Sequence, residues 1–297
     1  WLGGRVTGAG TADRRENAAW LARRAASVLN PRRMRATLLD GLLLRRMWWN
    51  SRSRWAIHFS IAWSFVGLFM IGSLGNFVAD LGVPLEKDVA WFAVTNDALG
   101  LTLLAGVAAA LYRRFVVRER STKTHFDDAA VLAALLVLAA GGFFVEAGRY
   151  LDESTPGSTA AYAFLGYPLS LALKPLALDW GAAYDAIWWT HALFALGLVT
   201  YMPYSKLFHV FTAPATVNVR AGIGSPAAGG VGLLAPAAGV EAARWSPFSA
   251  LQLLEMDACT RCGECLRACS SFAVTGDELA APMGMIRMRR ELFGLGD

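Results

Sequence analysis

All four cysteines of the chain lie within eleven residues, in the run Cys259-Thr-Arg-Cys262-Gly-Glu-Cys265-Leu-Arg-Ala-Cys269. The spacing C-x-x-C-x-x-C-x-x-x-C is typical of a loop that binds a [4Fe–4S] cluster. Three thiolates placed two residues apart can reach three corners of one cubane, and Gly263 lets the backbone turn closely around it. Zinc sites instead use two C-x-x-C pairs separated by a dozen or more residues. We therefore predict cluster ligands here.

The last cysteine of the run could belong to either of two arrangements. In two-cluster ferredoxins the fourth cysteine of such a run binds the other cluster. This sequence has no second cysteine set, and Ser270 stands at the position usually taken by proline. Either all four cysteines hold one cluster, or the natural polypeptide continues past Asp297 into a second motif.

Two of the four histidines lie at the ends of apolar runs. His58 opens the first run and His209 ends the fourth. Ionisable residues in membrane spans are costly and mostly functional. Two imidazoles from different helices at one depth can bind a haem iron from both sides, so we predict His58 and His209 as axial ligands of a haem b. The alternative is that each hydrogen-bonds a neighbouring carbonyl or a lipid headgroup.

The remaining histidines have no obvious partners. In a continuous helix His191 would share one face with His209, about 27 Å further along the axis. A second haem would need a ligand about ten residues beyond His58, but Leu68 stands there. His191 therefore ligates a second haem with an unrecognised partner, hydrogen-bonds a quinone headgroup, or is structural. His125, beside two aspartates, is predicted to be a solvated interfacial residue.

Long apolar segments must hold these histidines. The chain is 55% hydrophobic, and its mean hydropathy is +0.39. A membrane helix needs roughly 20 apolar residues, and four runs qualify, each apolar on all sides as a lipid-facing helix should be. They are residues 55–78, 89–111, 126–145 and 182–208.

Residues 160–178 are apolar but interrupted by Gly166, Pro168 and Pro175. The uninterrupted pieces are too short to span a bilayer. We predict an interfacial half-helix. The expected fold is an all-α integral membrane helical bundle of four clear spans, to which residues upstream of Trp1 could add a fifth, with a small C-terminal ferredoxin-like iron–sulfur domain.

Charge placement predicts the orientation of this bundle. A dozen arginines lie within residues 5–54, before the first span. The loop between the second and third spans is also basic, whereas the loops 80–88 and 149–179 carry more acid than base. By the positive-inside rule, the N-terminal segment, the basic loop and the C-terminal domain face the cytoplasm, where a disulfide is disfavoured. The net charge of +5 thus reflects topology in a cytoplasmic membrane and not nucleic-acid binding.

Composition divides the chain into four predicted segments. A Gly/Ala/Pro-rich stretch without helical or strand period comes after the last span and is expected to be a linker. The sequence begins at Trp1 without an initiator methionine, and we expect the natural polypeptide to have further residues before Trp1. The segments are a basic amphipathic interfacial segment (1–50), the haem b transmembrane bundle (51–212), the linker (213–244) and the cluster-binding domain (245–297).

Two stretches resemble the haem b gamma subunit of respiratory nitrate reductase and its heterodisulfide-reductase-like and ETF:quinone oxidoreductase relatives. Trp-Trp-Thr-His191 with Tyr-Met-Pro-Tyr-Ser-Lys-Leu-Phe-His209 resembles the last helix of that subunit, and Arg54-Trp-Ala-Ile-His58 the start of its first histidine-bearing helix. The resemblance implies one or two b haems and a quinol site near the outer one. It also implies that Lys87 lies beside the quinone pocket, although an interface anchor is an equal alternative.

The cysteine segment has its own resemblance. Residues 257–290, with Cys-Thr-Arg-Cys-Gly-Glu-Cys and Ala-Pro-Met-Gly-Met-Ile, resemble the first cluster motif of heterodisulfide-reductase-like iron–sulfur subunits. Members of that family have a further helix before the region that corresponds to Trp1, and a second cysteine motif after the region that corresponds to Asp297. One cluster is expected, or two if the chain continues.

Together these features predict a quinone/quinol oxidoreductase subunit of the respiratory chain. It would pass electrons between a membrane (mena)quinone, haem b and a [4Fe–4S] cluster, to or from a cytoplasmic iron–sulfur or flavoprotein subunit. The sequence does not determine the direction, because reduction potentials depend on burial and hydrogen bonding. The alternative is a non-enzymatic membrane anchor with a structural metal that docks a soluble redox protein.

Overall fold

The computed structural model describes residues 28–74, 81–82, 89–118, 126–152, 157–223, 254–255, 258–260, 262–267 and 270–275. Every regular element in these ranges is a helix. The chain divides into two compact units, Asn50–Lys206 and the combination of Trp1–Trp49 with Leu207–Asp297.

Short helices precede the bundle. Helix α1 (Pro31–Ala36) begins where the Asn30 side chain accepts a hydrogen bond from the Arg32 amide (2.9 Å), with proline at the first helical position. A π-helical turn, Thr37–Leu42, comes next, and helix α2 covers Arg45–Asn50.

The described residues of the bundle unit form five α-helices. They are α3 (Arg52–Leu68), α4 (Ala90–Tyr112), α5 (Phe126–Leu151), α6 (Gly166–Leu173) and α7 (Trp180–Tyr201). Helices α3 and α4 each continue into a π-helical turn, Phe69–Leu74 and Arg113–Val117. The sequence prediction of an all-helical bundle is confirmed for these residues.

Within the part of the chain that the structure describes, three segments are long and apolar enough to cross a membrane: Arg52–Gly72, Ala90–Val117 and Phe126–Leu151. They correspond to the first three predicted spans. The fourth predicted span forms α7, whose 22 residues extend about 33 Å. It is not among the three, because tryptophan, tyrosine, Asp185 and His191 lower its hydropathy.

The fourth predicted span is not one continuous helix. Helix α7 ends at Tyr201, and Pro203 lies in a 3₁₀ turn, Met202–Tyr204. Ser205 is extended, and a second 3₁₀ turn precedes the next helix. Proline cannot donate the amide hydrogen bond that a continuing helix requires. The prediction that His191 and His209 share one helical face is therefore wrong.

The interrupted apolar stretch forms short helices, as predicted. A 3₁₀ segment, Gly157–Tyr162, leads to the eight-residue α6 and then to a 3₁₀ turn, Lys174–Leu176. The turn ends at Ala177, whose φ of 50° is left-handed. None of these elements is long enough to cross a bilayer.

Glycines allow the bundle helices to approach closely. A Cβ on Gly106 of α4 would lie 2.9 Å from Cγ1 of Ile61 on α3, and a Cβ on Gly100 would lie 2.7 Å from Cζ of Phe143 on α5. Small residues at such crossings are typical of membrane bundles, where helices associate through van der Waals packing. These contacts fix the relative positions of α3, α4 and α5.

The other unit is built around helix α8 (His209–Ile223). The buried Asn218 donates to the Val28 carbonyl (3.2 Å) and to Thr37 Oγ1 (3.0 Å), tying α8 to the N-terminal segment. A Cβ on Gly41 would lie 3.2 Å from the Cα of Pro214. Residues 213–223, predicted to be linker, are therefore helical, because tertiary contacts override the weak local propensity.

Two short helices complete the described chain: α9 (Glu264–Arg267) and α10 (Ser270–Thr275). The rest of the predicted linker, 224–244, lies outside the described residues, as does most of the predicted ferredoxin-like domain.

Candidate functional site

His58 lies in the second turn of α3 and is half-buried. It shares a face with Arg54, four residues earlier, which is only 8% exposed. The Trp55 and Phe59 rings stack at a centroid distance of 4.7 Å beside it. Leu68, at the position where a second haem ligand would be needed about ten residues beyond His58, is the last residue of α3.

His209 is the first residue of α8 and is also half-buried. Phe208 and Phe211, on either side of it in sequence, have ring centroids 6.1 Å apart. His58 and His209 belong to different units. Each histidine lies in a helix, as expected, and their pairing as axial ligands stays a prediction.

Lys206, three residues before His209, belongs to a buried ion-pair network. The Asp128 carboxylate at the start of α5 accepts a hydrogen bond from Lys206 Nζ and forms an ion pair with Arg114 Nη1 at 3.0 Å. The Asp128 side chain is 4% exposed, and those of Arg114 and Lys206 are 14% and 16% exposed. The network anchors the segment that leads to α8, and sequence reasoning missed it.

His191 packs against two adjacent glycines of α5. Its Nδ1 would lie 3.0 Å from a Cβ placed on Gly141, and its Cε1 would lie 3.8 Å from a Cβ on either Gly141 or Gly142. Further along the same helix pair, a Cβ on Gly148 would lie 3.2 Å from Tyr184. The imidazole therefore occupies space that a side chain on Gly141 would need.

A second set of polar residues lies in the same bundle, between α4, α5 and α6. Asp97 is fully buried, and its Oδ2 accepts hydrogen bonds from the amides of Leu165 (2.6 Å) and Gly166 (3.4 Å). Glu146 is 7% exposed, and its Oε2 accepts from Asn96 Nδ2 (3.3 Å). Sequence reasoning missed this cluster, although acidic residues inside apolar runs are a known signal of function.

The cysteine run is only partly within the described residues. Cys259, Cys262 and Cys265 are thiols, and Cys262 is exposed. Gly263 has a φ of 78°, the left-handed turn that favours glycine, as its place in the motif predicted. The thiol donors and this turn suit an iron–sulfur cluster. The described residues, however, gather no three metal-binding side chains at one point, and Cys269 lies outside them.

An ion pair links α8 to the residues before the cysteines. Arg220 Nε donates to Glu255 Oε1, and this hydrogen bond raises the pKa of Arg220. Glu255 precedes Cys259 by one helical turn in sequence. Lys87 and His125, the other candidate residues, lie outside the described residues.

Apolar helices long enough to cross a bilayer, with buried ionisable side chains among them, indicate an integral membrane protein. The family model of the nitrate reductase gamma subunit matches residues 45–223. The chain belongs to this family, and the predicted resemblance is confirmed.

Curated relatives extend the comparison. The EtfAB:quinone oxidoreductase of Syntrophomonas wolfei is 24% identical over 78% of this chain and 34% of its own length. A subunit of the dihydromethanophenazine:CoB–CoM heterodisulfide reductase of Methanosarcina mazei is 24% identical over 62% of this chain and 66% of its own. The probable iron-sulfur-binding oxidoreductase FadF of Bacillus subtilis is 27% identical over 69% of this chain and 29% of its own.

This chain thus covers about a third of the length of the first of these relatives. No solved structure matches it.

Proposed function

We propose that this chain is the membrane electron-transfer part of a quinone-linked oxidoreductase. It exchanges electrons between a (mena)quinone in the bilayer and a soluble iron–sulfur or flavoprotein subunit. The observation that carries this proposal is that the family match, residues 45–223, includes His58, His191 and His209. The proposal is also supported by the names of two relatives, one of which includes a quinone and the other iron–sulfur binding.

His58 and His209 are the proposed axial ligands of a haem b. Both imidazoles are half-buried and lie near helix ends. His191 either ligates a second haem or hydrogen-bonds the quinone headgroup, with Lys87 as a second candidate at that site. Bound haem would supply a one-electron carrier, while the protein supplies ligands, spacing and exclusion of water.

Cys259, Cys262, Cys265 and Cys269 are the proposed ligands of one [4Fe–4S] cluster. Their thiol chemistry and the turn at Gly263 support this assignment. A second cluster would require cysteines beyond Asp297.

The proposed topology has four spans, with α7 as the fourth. Its length of about 33 Å is sufficient for the hydrocarbon core. Arg113 and Arg114, in the turn that directly follows α4, support a cytoplasmic position for that end of the helix under the positive-inside rule. The N-terminal segment and the cysteine domain then lie on the same side of a cytoplasmic membrane.

Spectroscopy and metal analysis of the detergent-purified full chain test the proposal. We expect a reduced-minus-oxidised spectrum of b-type haem, together with iron and acid-labile sulfide. We also expect a short-chain quinol to reduce the haem. Bound zinc without haem, iron or sulfide would instead indicate the non-enzymatic anchor.

A further inference from the structure

Two buried carboxyl groups meet at the end of the bundle opposite the basic turn Arg113–Val117. Asp97 lies in the second turn of α4, and Glu146 lies in the last two turns of α5. They are 0% and 7% exposed. Both carboxyls lie against Gly166: Asp97 Oδ2 accepts a hydrogen bond from its amide (3.4 Å), and Glu146 Oε2 is 2.6 Å from the position that its Cβ would occupy.

One carboxyl oxygen of Asp97 is hydrogen-bonded by the backbone. Its Oδ2 accepts two backbone amides, those of Leu165 and Gly166, at the N-terminal end of α6. Amide donors and the positive end of a helix dipole both stabilise a carboxylate. Among the described residues, Asp97 Oδ2 thus has two donors and Oδ1 has none.

The surroundings of Glu146 favour its protonated form. Two carboxylates in contact within a low-dielectric interior repel each other strongly, so that one of them keeps its proton. The only cation that acts on Glu146 among the described residues is Arg149, whose guanidinium also donates to the Tyr150 hydroxyl (3.3 Å) and lies over its ring. Asn96 Nδ2 donates to Glu146 and so satisfies one oxygen in either state.

One buried oxygen of the pair requires this proton. Asp97 Oδ1 has no exposed surface and no hydrogen-bond partner among the described residues when both carboxyls are ionised. A buried acceptor that lacks a donor costs roughly 1–3 kcal/mol. A proton on Glu146 can supply that donor. The Glu146 carboxyl is tightly packed against α6, because a Cβ on Gly166 would lie only 2.6 Å from Glu146 Oε2.

The pair lies near His191. Gly142 and Glu146 are four residues apart on one face of α5, about 6 Å along the axis. Cε1 of His191 lies 3.8 Å from the Cβ position of Gly142. A quinone headgroup held by His191 would thus have the carboxyl pair about one helical turn away.

We propose that Asp97 and Glu146 form a proton-exchange site, in which they hold one proton between them and trade protons with a quinone bound beside His191. The quinone part of this proposal rests on the proposed function. Oxidation of a quinol breaks two O–H bonds. One proton adds to the Asp97 carboxylate, the other passes to water, and the two electrons leave singly to the carriers of the proposed function. The pair then returns its extra proton to water.

Infrared spectroscopy of the purified full chain at neutral pH tests whether the proton is present. We expect a protonated-carboxyl carbonyl band that shifts in D₂O and is lost in Glu146→Gln, an amide that keeps the size of the side chain. The matched control is Asp127→Asn, an exposed carboxylate at the other end of α5, which should leave the band unchanged. Absence of the band, or its persistence in Glu146→Gln, would overturn the proposal.

Quinol oxidation tests the exchange. With a short-chain quinol, Asp97→Asn removes the carboxylate that accepts the proton and should lower the rate of haem reduction by about 100-fold, the usual contribution of a positioned acid–base group. Reduction of the haem by dithionite should be unchanged. An unaltered quinol rate in this variant overturns the exchange. If the wild-type chain oxidises no quinol while the infrared band is present, the proposed function fails and the proton-holding pair stands.

Discussion

The Nδ1 atom of His191 lies 3.0 Å from the point that a Cβ on Gly141 would occupy. A real Cβ almost never comes closer to another atom than this. The interface between α5 and α7 therefore accepts an imidazole at this position only because residue 141 lacks a side chain. Residue 142, beside it, has more room, since the nearest His191 atom is 3.8 Å from its Cβ position.

The two glycines offer a matched pair of substitutions. Gly141→Ala should displace the His191 ring by a few tenths of an ångström, whereas Gly142→Ala adds an ordinary van der Waals contact. If His191 positions a quinone, Gly141→Ala should lower kcat/KM for a short-chain quinol by about 10- to 100-fold, because small misplacements of a positioning group are costly. Gly142→Ala should be close to wild type. Equal kinetics in the two variants would show that the ring position is unimportant for quinol oxidation.

Loss of either proposed axial ligand should remove the haem. His58→Ala and His209→Ala each leave the iron with one protein ligand, and we expect the b-type absorbance of the purified protein to fall to background. His125→Ala is the control, since that histidine is predicted to be interfacial. The measurement is haem per protein from the reduced-minus-oxidised spectrum. An undiminished spectrum in His209→Ala would exclude that residue as a ligand.

The Asp128 network should be important for stability. Asp128→Asn leaves Arg114 and Lys206 close together and mostly buried without their carboxylate. Removing one partner of a buried ion pair typically costs about 3–5 kcal/mol. We expect a lower Tm in detergent, measured by the loss of helical circular dichroism on heating. Asp127→Asn, at the adjacent exposed position, should change the Tm little. A similar Tm in both variants would contradict the stabilising role of the network.

Local patterns predicted the elements better than their ends. Uniformly apolar runs identified the first three spans, and the cysteine spacing anticipated the left-handed turn at Gly263. The break after Tyr201 was not predicted, although Pro203 is visible in the sequence. The high hydropathy of residues 182–208 favoured one continuous span. Helix α8 was missed because Asn218 and Pro214 are held by contacts with residues 28–41, far away in sequence. Long-range partners of this kind leave no local period.

The carboxyl pair shows the same limit. Asp97 and Glu146 are visible in the sequence as acids within apolar runs, and that signal alone marks them as candidates. Their contact could not be predicted, because it depends on the register of α4 against α5. It also depends on the position of α6, whose N-terminal amides donate hydrogen bonds to Asp97.

Gly166 should be intolerant of any side chain, because Glu146 lies against it. A Cβ at this position would be 2.5 Å from Cδ and 2.6 Å from Oε2 of Glu146, so Gly166→Ala must push that carboxyl away from Asn96 and Asp97. We expect a lower Tm and a shifted or lost infrared band of the protonated carboxyl. Gly197→Ala on α7 is the control, since no described atom beyond its immediate neighbours along α7 lies within 4 Å of its Cβ position. Helix propensity alone should stabilise this variant by up to about 1 kcal/mol.

A second substitution tests whether the clash itself is the cause. Glu146→Asp shortens the side chain and makes room for a methyl group at residue 166. The double variant Gly166→Ala/Glu146→Asp should therefore be more stable than the sum of the two single effects predicts, because residues in contact are energetically coupled. Strict additivity of the Tm changes would mean that residue 166 and the carboxyl are not in contact, and the packing of α6 against the pair would then be refuted.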